Sequence, residues 1–255
     1  MQDYRLYFLP IVLICIGAEL VWSRRNSRDV YSFKETASNV GMMVGNRLLR
    51  PVATAWALLI LALCEPLQIV QLPKTAWSFA LTFVAADFAY YWYHRLSHEV
   101  PLLWAMHHTH HSSPWMNFTT ALRLNWVAKF VAPIFFIPFI IIGFPPLFFG
   151  ASLTLVLLCQ FFLHTQAIGR LGAFEGKLLN TPSAHRVHHG TNAQYLNKNY
   201  GGVLIVWDRL FGTYAAEQEP VTYGVTTGFA GHNILTAQFA PLLRYFRARR
   251  LPDVN

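Results

Sequence analysis

The sequence predicts an all-α integral membrane protein with about four to five transmembrane or membrane-embedded helices and a cytosolic helical cap. Three observations carry that expectation. The 255 residues are 54% hydrophobic and only 13% charged, about half the ~25% charged residues usual in soluble domains. The apolar residues are gathered in segments long enough to cross or enter a bilayer, at ~1.5 Å per helical residue. The basic residues stand between those segments, as the positive-inside bias would place them.

The first apolar segment, residues 6–22, contains Glu19 and is followed by Arg24 and Arg25. Basic residues on the C-terminal flank, with no small-residue cleavage site, reverse the polarity of a secretory signal peptide, so a retained transmembrane helix is expected. Residues 23–50 read as a polar, basic loop with Arg24, Arg25, Arg28, Lys34, Arg47 and Arg50. Residues 52–72 form the second apolar segment, which Glu65-Pro66 is expected to kink. After a short turn at 71–74, residues 77–93 are apolar and aromatic, broken only by Asp87. Residues 127–144 and 147–163 flank Gly143-Phe144-Pro145-Pro146, a strong turn signal. They read as a helical hairpin that crosses the membrane or is deeply embedded in it. From 164 onward the chain is polar, and its tail carries Arg244, Arg247, Arg249 and Arg250.

The basic segments 23–50, 94–129 and everything after 164 are expected on one side. The turns at Lys74 and at Pro145-Pro146 are poor in charge and fall on the other. Five crossings satisfy this, with the N-terminus outside and the protein multi-pass and integral to the membrane. The chain reads as a single membrane domain, 1–255. Within it, 1–86 holds N-terminal transmembrane helices and the basic loop, 87–213 holds the chemistry, and 214–255 is a C-terminal basic tail. The net charge of +8 suits a membrane surface, and no nucleic-acid partner is expected. Cys15, Cys64 and Cys159 all lie inside apolar runs and form no Cys-x-x-Cys pair, so they read as small apolar residues.

Six of the eleven histidines fall between His94 and His111. His94 and His98 are four apart and share a helical face, from which two imidazoles reach one ion. His107, His110 and His111 form His-x-x-His-His, and His185, His188 and His189 repeat that pattern behind Thr181-Pro182, an N-cap with proline at the first helical position. A catalytic zinc takes three protein ligands and a structural one takes four. Eight imidazoles exceed one ion and suit two, with positions left for oxygen. His164, ending an apolar limb, would be costly there as an unpaired ring and is expected as a further ligand or wall residue. The fold class is thereby completed: the cytosolic cap is expected to carry a histidine-rich dimetal site. All-imidazole sites suit iron, zinc or copper. His108 breaks the spacing and reads as a neighbour of the ligands or as solvent-facing, and His232 reads as an ordinary histidine. Asp87, seven residues before His94, is expected to accept a ligand ring N–H, or else to pair with Arg95.

Three boxes, His-x-x-x-His and two of His-x-x-His-His, around a hydrophobic hairpin resemble the fatty acid hydroxylase / sterol desaturase superfamily of membrane non-haem di-iron oxygenases. The resemblance runs from about Asp87 to Thr213. Tyr91-Trp92-Tyr93-His94-Arg95, His110-His111-Ser112-Ser113, Thr120-Ala121-Leu122-Arg123, His189-Gly190, Asn199-Tyr200-Gly201-Gly202 and Trp207-Asp208-Arg209-Leu210-Phe211-Gly212-Thr213 look most like the alkylglycerol monooxygenase-like branch. The resemblance implies metal ligation by His94, His98, His107, His110, His111, His185, His188 and His189, and a site role for His164. Asp87, Asp208 and Asn199 would stand behind the ligands, and Tyr91, Trp104 and Phe118 would line a substrate channel. Catalysis would rest on bound metals rather than a side-chain nucleophile.

The implied cofactors are two iron ions and O2; zinc would also be held by these ligands in a purified sample. The chain departs from the branch in having His108 and in lacking a long apolar C-terminal extension and a His-Pro-Gly-Gly haem motif. Electrons are therefore expected from a separate donor of reduced pterin, ferredoxin or cytochrome b5 type. The expected activity is hydroxylation or desaturation of a C–H bond in an alkyl or acyl lipid or a sterol, with the histidine site on the cytoplasmic face. A competing reading is a membrane metal-binding or metal-transport protein without oxygenase activity, which predicts ligands spread along membrane depth. Nothing in the sequence sets the oligomeric state.

Overall fold

A computed structural model of the protein describes residues 5–228 and 231–248; Arg249 and Arg250 of the basic tail lie outside them. Among the described residues the chain is all-helical, with two isolated β-bridges and no strand. Eleven α-helices are described: α1 Arg5–Arg25, α2 Phe33–Leu48, α3 Arg50–Cys64, α4 Ala76–Glu99, α5 Pro101–His111, α6 Ala128–Val131, α7 Ile137–Ile142, α8 Pro146–Leu163, α9 Pro182–His188, α10 Val206–Leu210 and α11 Ile234–Ala248.

Two helical stretches, Arg50–Leu67 and Pro146–Leu163, are long and apolar enough to cross a membrane. Their surfaces fit that environment. Val52, Leu58, Leu59 and Leu63 on the first, and Leu147, Leu155, Leu157 and Phe162 on the second, are exposed. Between these helices lies an apolar core of Ile60, Cys64, Ala86, Ala89, Ile140 and Phe149. The expected hairpin at 127–163 is present, but its first limb is α6, a tight helical stretch at Ala132–Phe136 and α7. Pro133 and Pro138 each remove an N–H donor there, which breaks the limb into short pieces.

Glu65-Pro66 ends a helix rather than kinking one. After the short turn Glu65–Leu67 the chain runs extended. The amides of Ile69, Val70 and Leu72 donate to the carbonyls of Ile141, Ile142 and Gly143 at 2.8, 3.3 and 3.2 Å. These bonds satisfy carbonyls that the end of α7 leaves free. Gly143 has φ of +127° and its Cα faces the Val70 carbonyl so closely that a Cβ would collide with it; only glycine serves here.

The 23–50 segment also differs from expectation. It is not a loop but holds α2, capped by the Ser32 hydroxyl, which accepts from the Glu35 amide. Its buried face is Glu35, Ser38, Asn39 and Met42, so no inward apolar stripe marks the helix in the sequence.

The polar end is organised by a hairpin. Thr75 and Ser78 form a reciprocal capping box that starts α4. α4 runs on past the aromatic segment through His98 and stops at Val100. Pro101 occupies the first position of α5, where its missing N–H costs nothing. The chain thus turns back within one residue, and α5 returns beside the end of α4. α8 packs on α4, and α11 packs on α5.

Candidate metal centre

The α4–α5 hairpin brings His94 and His98 opposite His107 and His111. α9 then adds His188. The ligand atoms of these five imidazoles lie within 4.8 Å of one another. His110, His164, His185 and His189 form a second group within the same limit. All nine are buried except His107, which is partly exposed. The groups adjoin: the rings of His111 and His189 stack with centroids 4.3 Å apart.

Helical spacing explains how the boxes are shared. In each His-x-x-His-His box the outer pair, four apart, stays together: His107 with His111, and His185 with His189. The inner member crosses to the other group, His110 to the second and His188 to the first. The two boxes therefore interlock.

The proton positions follow from the backbone. The Nδ1–H of His94 donates to the Tyr200 carbonyl at 2.8 Å, and that of His188 to Lys198 at 3.0 Å. In the second group His110 donates to Arg123 at 3.2 Å and His164 to Gln160 at 2.8 Å. A carbonyl only accepts, so each proton sits on Nδ1 and Nε2 keeps a bare lone pair. Those Nε2 atoms turn toward one another. His94 and His111 approach His107 at 3.1 and 3.2 Å. His164 approaches His110 at 3.2 Å and His185 at 3.0 Å, and His189 approaches His185 at 3.2 Å.

At His110 and His164 both Nε2 lone pairs are bare, and at 3.2 Å they repel unless a cation lies between them. With metal–nitrogen bonds of ~2.0–2.1 Å, neighbouring ligands of an octahedron stand ~3.0 Å apart, so the spacing suits coordination. The His188 Nε2 is buried and has no hydrogen-bond partner, a costly state without a metal. Burial and the neighbouring imidazoles hold His107, His111, His164, His185, His188 and His189 well below the usual histidine range, which keeps them neutral and able to ligate. Burial also lowers His110, to about 4. The donor set, all imidazole and free of thiolate, fits two ions of the iron, zinc or copper type.

The loop at 199–204 supports this arrangement, in a way the sequence reading did not foresee for Asp87. Its carboxylate accepts from the amides of Val203 and Leu204 at 2.7 and 3.1 Å and from the Trp207 indole at 2.9 Å. It receives no imidazole N–H, and Arg95 pairs with Glu99 instead. Asp208 accepts from the amides of Tyr200 and Gly201, both at 2.7 Å. Asn199, at φ +59°, donates to the carbonyls of Ala184 in α9 and Ala215 at 2.9 and 2.7 Å. The three residues position the Tyr200 carbonyl, and through it His94, without touching an imidazole.

Trp104 is buried with its ring 5.2 Å from His98 and 5.7 Å from His111. Tyr91 stacks on Phe211 at 5.4 Å and hydrogen-bonds Thr213, and Phe118 stacks on Phe161 at 5.2 Å. His108 belongs to neither group; it is buried against Trp104 at 5.6 Å. His232 pairs with Glu35 at 2.9 Å. Two contributors went unnoticed in the sequence. Gln160 supplies the carbonyl for His164, and its side chain accepts from Tyr90 at 2.9 Å; a glutamine inside an apolar segment was the available signal. Arg123, fully buried, supplies the carbonyl for His110 while its guanidinium binds Glu35, Asn39, Ser112 and the Thr109 carbonyl.

Comparison with known proteins adds an independent finding. The family described as fatty acid hydroxylase matches residues 79–213. Alkylglycerol monooxygenase of Xenopus tropicalis is 47% identical over 160 residues, covering 62% of this chain and 35% of that protein. The Homo sapiens protein of that name is 46% identical over 163 residues, covering 64% and 36%. Ornithine lipid hydroxylase OlsE of Rhizobium tropici is 28% identical over 228 residues, covering 83% and 66%. The chain thus spans about a third of the length of the alkylglycerol monooxygenases it matches. No solved structure matches it.

Proposed function

From the premise that the chain belongs to the fatty acid hydroxylase family, we propose that it is a membrane-bound, O2-dependent di-iron oxidoreductase. It hydroxylates or desaturates a C–H bond of an alkyl or acyl lipid or a sterol. The observation that carries this reading is the pair of adjoining groups in which the ligand atoms of nine imidazoles converge, each group within 4.8 Å. His94, His98, His107, His111 and His188 would hold one ion, and His110, His164, His185 and His189 the other. Bound there, two iron ions would supply activation of O2 with electrons from a separate donor of reduced pterin, ferredoxin or cytochrome b5 type.

The chain's own residues prepare the site. Backbone carbonyls of Tyr200, Lys198, Arg123 and Gln160 fix the ring orientations, which places ligands before metal or substrate arrives. Burial of eight of the nine rings excludes water from the reacting region. His107, the partly exposed one, marks the side from which a lipid chain approaches, with Trp104 as a wall. The reaction balances as hydrocarbon, O2, two electrons and two protons giving alcohol and water; removal of a second hydrogen gives an alkene.

The protein is multi-pass in this reading, with α3 and α8 among its four to five membrane helices and the histidine groups at the cytoplasmic face. The exposed aliphatic surfaces of α3 and α8 and the basic 23–50 segment support it. A metal-transport protein would spread its ligands along a path; here they gather in two adjoining groups. The test is the lipid profile of cells expressing the protein beside cells expressing His188→Ala. A lipid gained only with the unsubstituted chain, heavier by one oxygen or lighter by two hydrogens, supports the reading. Identical profiles, with both proteins present at equal levels and the donor supplied, contradict it.

A further inference from the structure

Two peripheral helices carry an exposed apolar stripe. On α2 the polar residues Glu35, Ser38 and Asn39 are buried, whereas Phe33, Val40, Val44 and Leu48 are exposed, Phe33 at 88% and Leu48 at 74%. On α11, Gln238 is fully buried beside Ala237 and Leu242, and Leu235, Phe239, Leu243 and Phe246 form an exposed stripe at helical spacing. A helix that faces water turns its polar side outward. Here the polar side is used by the protein: Glu35 pairs with Arg123, Asn39 donates to Thr119, and Gln238 accepts from the Trp126 amide and donates to the Leu124 carbonyl. The apolar side is left for the surroundings.

The two helices form one surface. Ile234 lies directly over Gly41, where a Cβ would collide with it. Trp126 lies between the helices, donating to the Met42 carbonyl at 3.0 Å and meeting the Phe239 ring edge-on at 6.1 Å. Lys34, Arg47, Arg244 and Arg247 are exposed at its margins. Neither helix exposes an acidic side chain, so the same face of a second copy would offer no charge partner, whereas anionic lipid would. The surface is also continuous with the proposed span α3, which follows α2 after Leu49. At the α1–α2 junction a cavity of about 510 Å³ is lined by Arg24, Arg28 and one carboxylate, Asp29, beside Ile16, Leu20 and Phe33. Guanidinium groups next to aliphatic walls match the order of phosphate and acyl chain in a phospholipid.

We propose that α2 and α11 together lie in the headgroup layer of the bilayer and bind anionic phospholipid. The apolar stripes rest on the upper acyl chains and the basic residues meet the phosphates. This rests on the reading that α3 crosses the membrane and goes beyond it, because it assigns α2 and α11, helices of 16 and 15 residues that are not among the spans named above. It also sets the lipid surface beside the candidate centre, since α11 packs on α5 and α2 holds Arg123, whose carbonyl binds His110.

The test uses the full chain in phosphatidylcholine vesicles with and without phosphatidylglycerol. With Cys15, Cys64 and Cys159 replaced by alanine, nitroxide labels are introduced by Val40→Cys, Phe239→Cys and, in α3, Leu59→Cys. Collisions with O2 and with a water-soluble nickel chelate are read by electron paramagnetic resonance. All three labels are expected in lipid, those at 40 and 239 at shallower depth. Phosphatidylglycerol should draw the latter two deeper, and Arg244→Gln with Arg247→Gln should remove that response. Lipid contact at 59 with nickel access at 40 and 239 overturns the proposal and spares the spanning reading. Nickel access at 59 overturns both. Labels at 40 and 239 shielded from both reagents, with spin–spin broadening between chains, would assign the face to a second copy and overturn the proposal. So would depths indifferent to phosphatidylglycerol. If labelled variants fail to fold, the unsubstituted chain is photocrosslinked to phosphatidylglycerol carrying a diazirine near its headgroup. Adducts on 33–48 and 234–247 support the proposal, and adducts confined to α3 and α8 overturn it.

Discussion

The Nε2 atoms of His164 and His185 face each other at 3.0 Å, one at the end of an apolar helix and the other at the start of α9. Both have a place in the second group only. His164→Ala is therefore expected to lower bound metal in the purified protein by about half while the first group keeps its ion. Metal analysis after reconstitution checks this, and unchanged content would remove His164 from the ligand set.

Arg123 and Glu35 form a buried ion pair at 3.0 Å, each side chain about 1% exposed. Removing Arg123 leaves the buried Glu35 carboxylate with only His232 as an ionisable partner, and breaking a buried ion pair typically costs ~3–5 kcal/mol. Arg123→Met is expected to lower thermal stability in detergent by that order. Adding Glu35→Gln should recover part of it, since the stranded carboxylate is then gone. Equal melting of the single variant and the parent would show that the pair contributes nothing.

Asp208 touches no imidazole but receives the amides of Tyr200 and Gly201. Asp208→Ala should free the loop that carries the carbonyl partner of His94. Loss of such supporting groups typically weakens metal affinity ~10–100-fold. Competition with a chelator of known affinity measures it. Parent-like affinity would show that the loop holds its place without Asp208.

Acid should destabilise the metal-free protein over a defined window. The buried histidines titrate below their ordinary value of 6.5, His108 and His110 at about 4. The unfolded chain therefore binds protons first as pH falls. The contribution of these rings to stability is complete above pH 6.5 and is lost on descent toward pH 4. Asp208, raised by burial, opposes the trend. Bound metal should be released over the same descent, because protons compete for the same nitrogens. Denaturation midpoints between pH 8 and 4, estimated at ~0.5-unit steps, check this; a flat profile would contradict it.

Two apolar runs about Gly143-Phe144-Pro145-Pro146 made the 127–163 hairpin legible in the sequence, and the four-residue spacing of His94 and His98 made the helix that carries them legible. Spacing also pointed to eight of the nine histidines that the fold gathers, and the cost of an unpaired ring at the end of an apolar limb pointed to His164. The sharing of the boxes was not legible, because spacing alone puts His107, His110 and His111 on one side. Only the packing of α5 against α9 sends His110 one way and His188 the other. α2 stayed hidden because its inward face is polar, so a pattern search for buried apolar residues passes over it. The partners of Asp87 were unreadable for a different reason: two of the three are backbone amides, which every residue offers and no sequence distinguishes.

The central claim is that two adjoining ions are held by imidazole alone. X-ray absorption at the iron edge of the iron-loaded protein, with metal counted per chain, tests it most directly. Two ions per chain, a nitrogen-dominated nearest shell and the outer scattering of imidazole rings are the predicted result. A single ion per chain, or nearest-shell sulfur, would contradict the account.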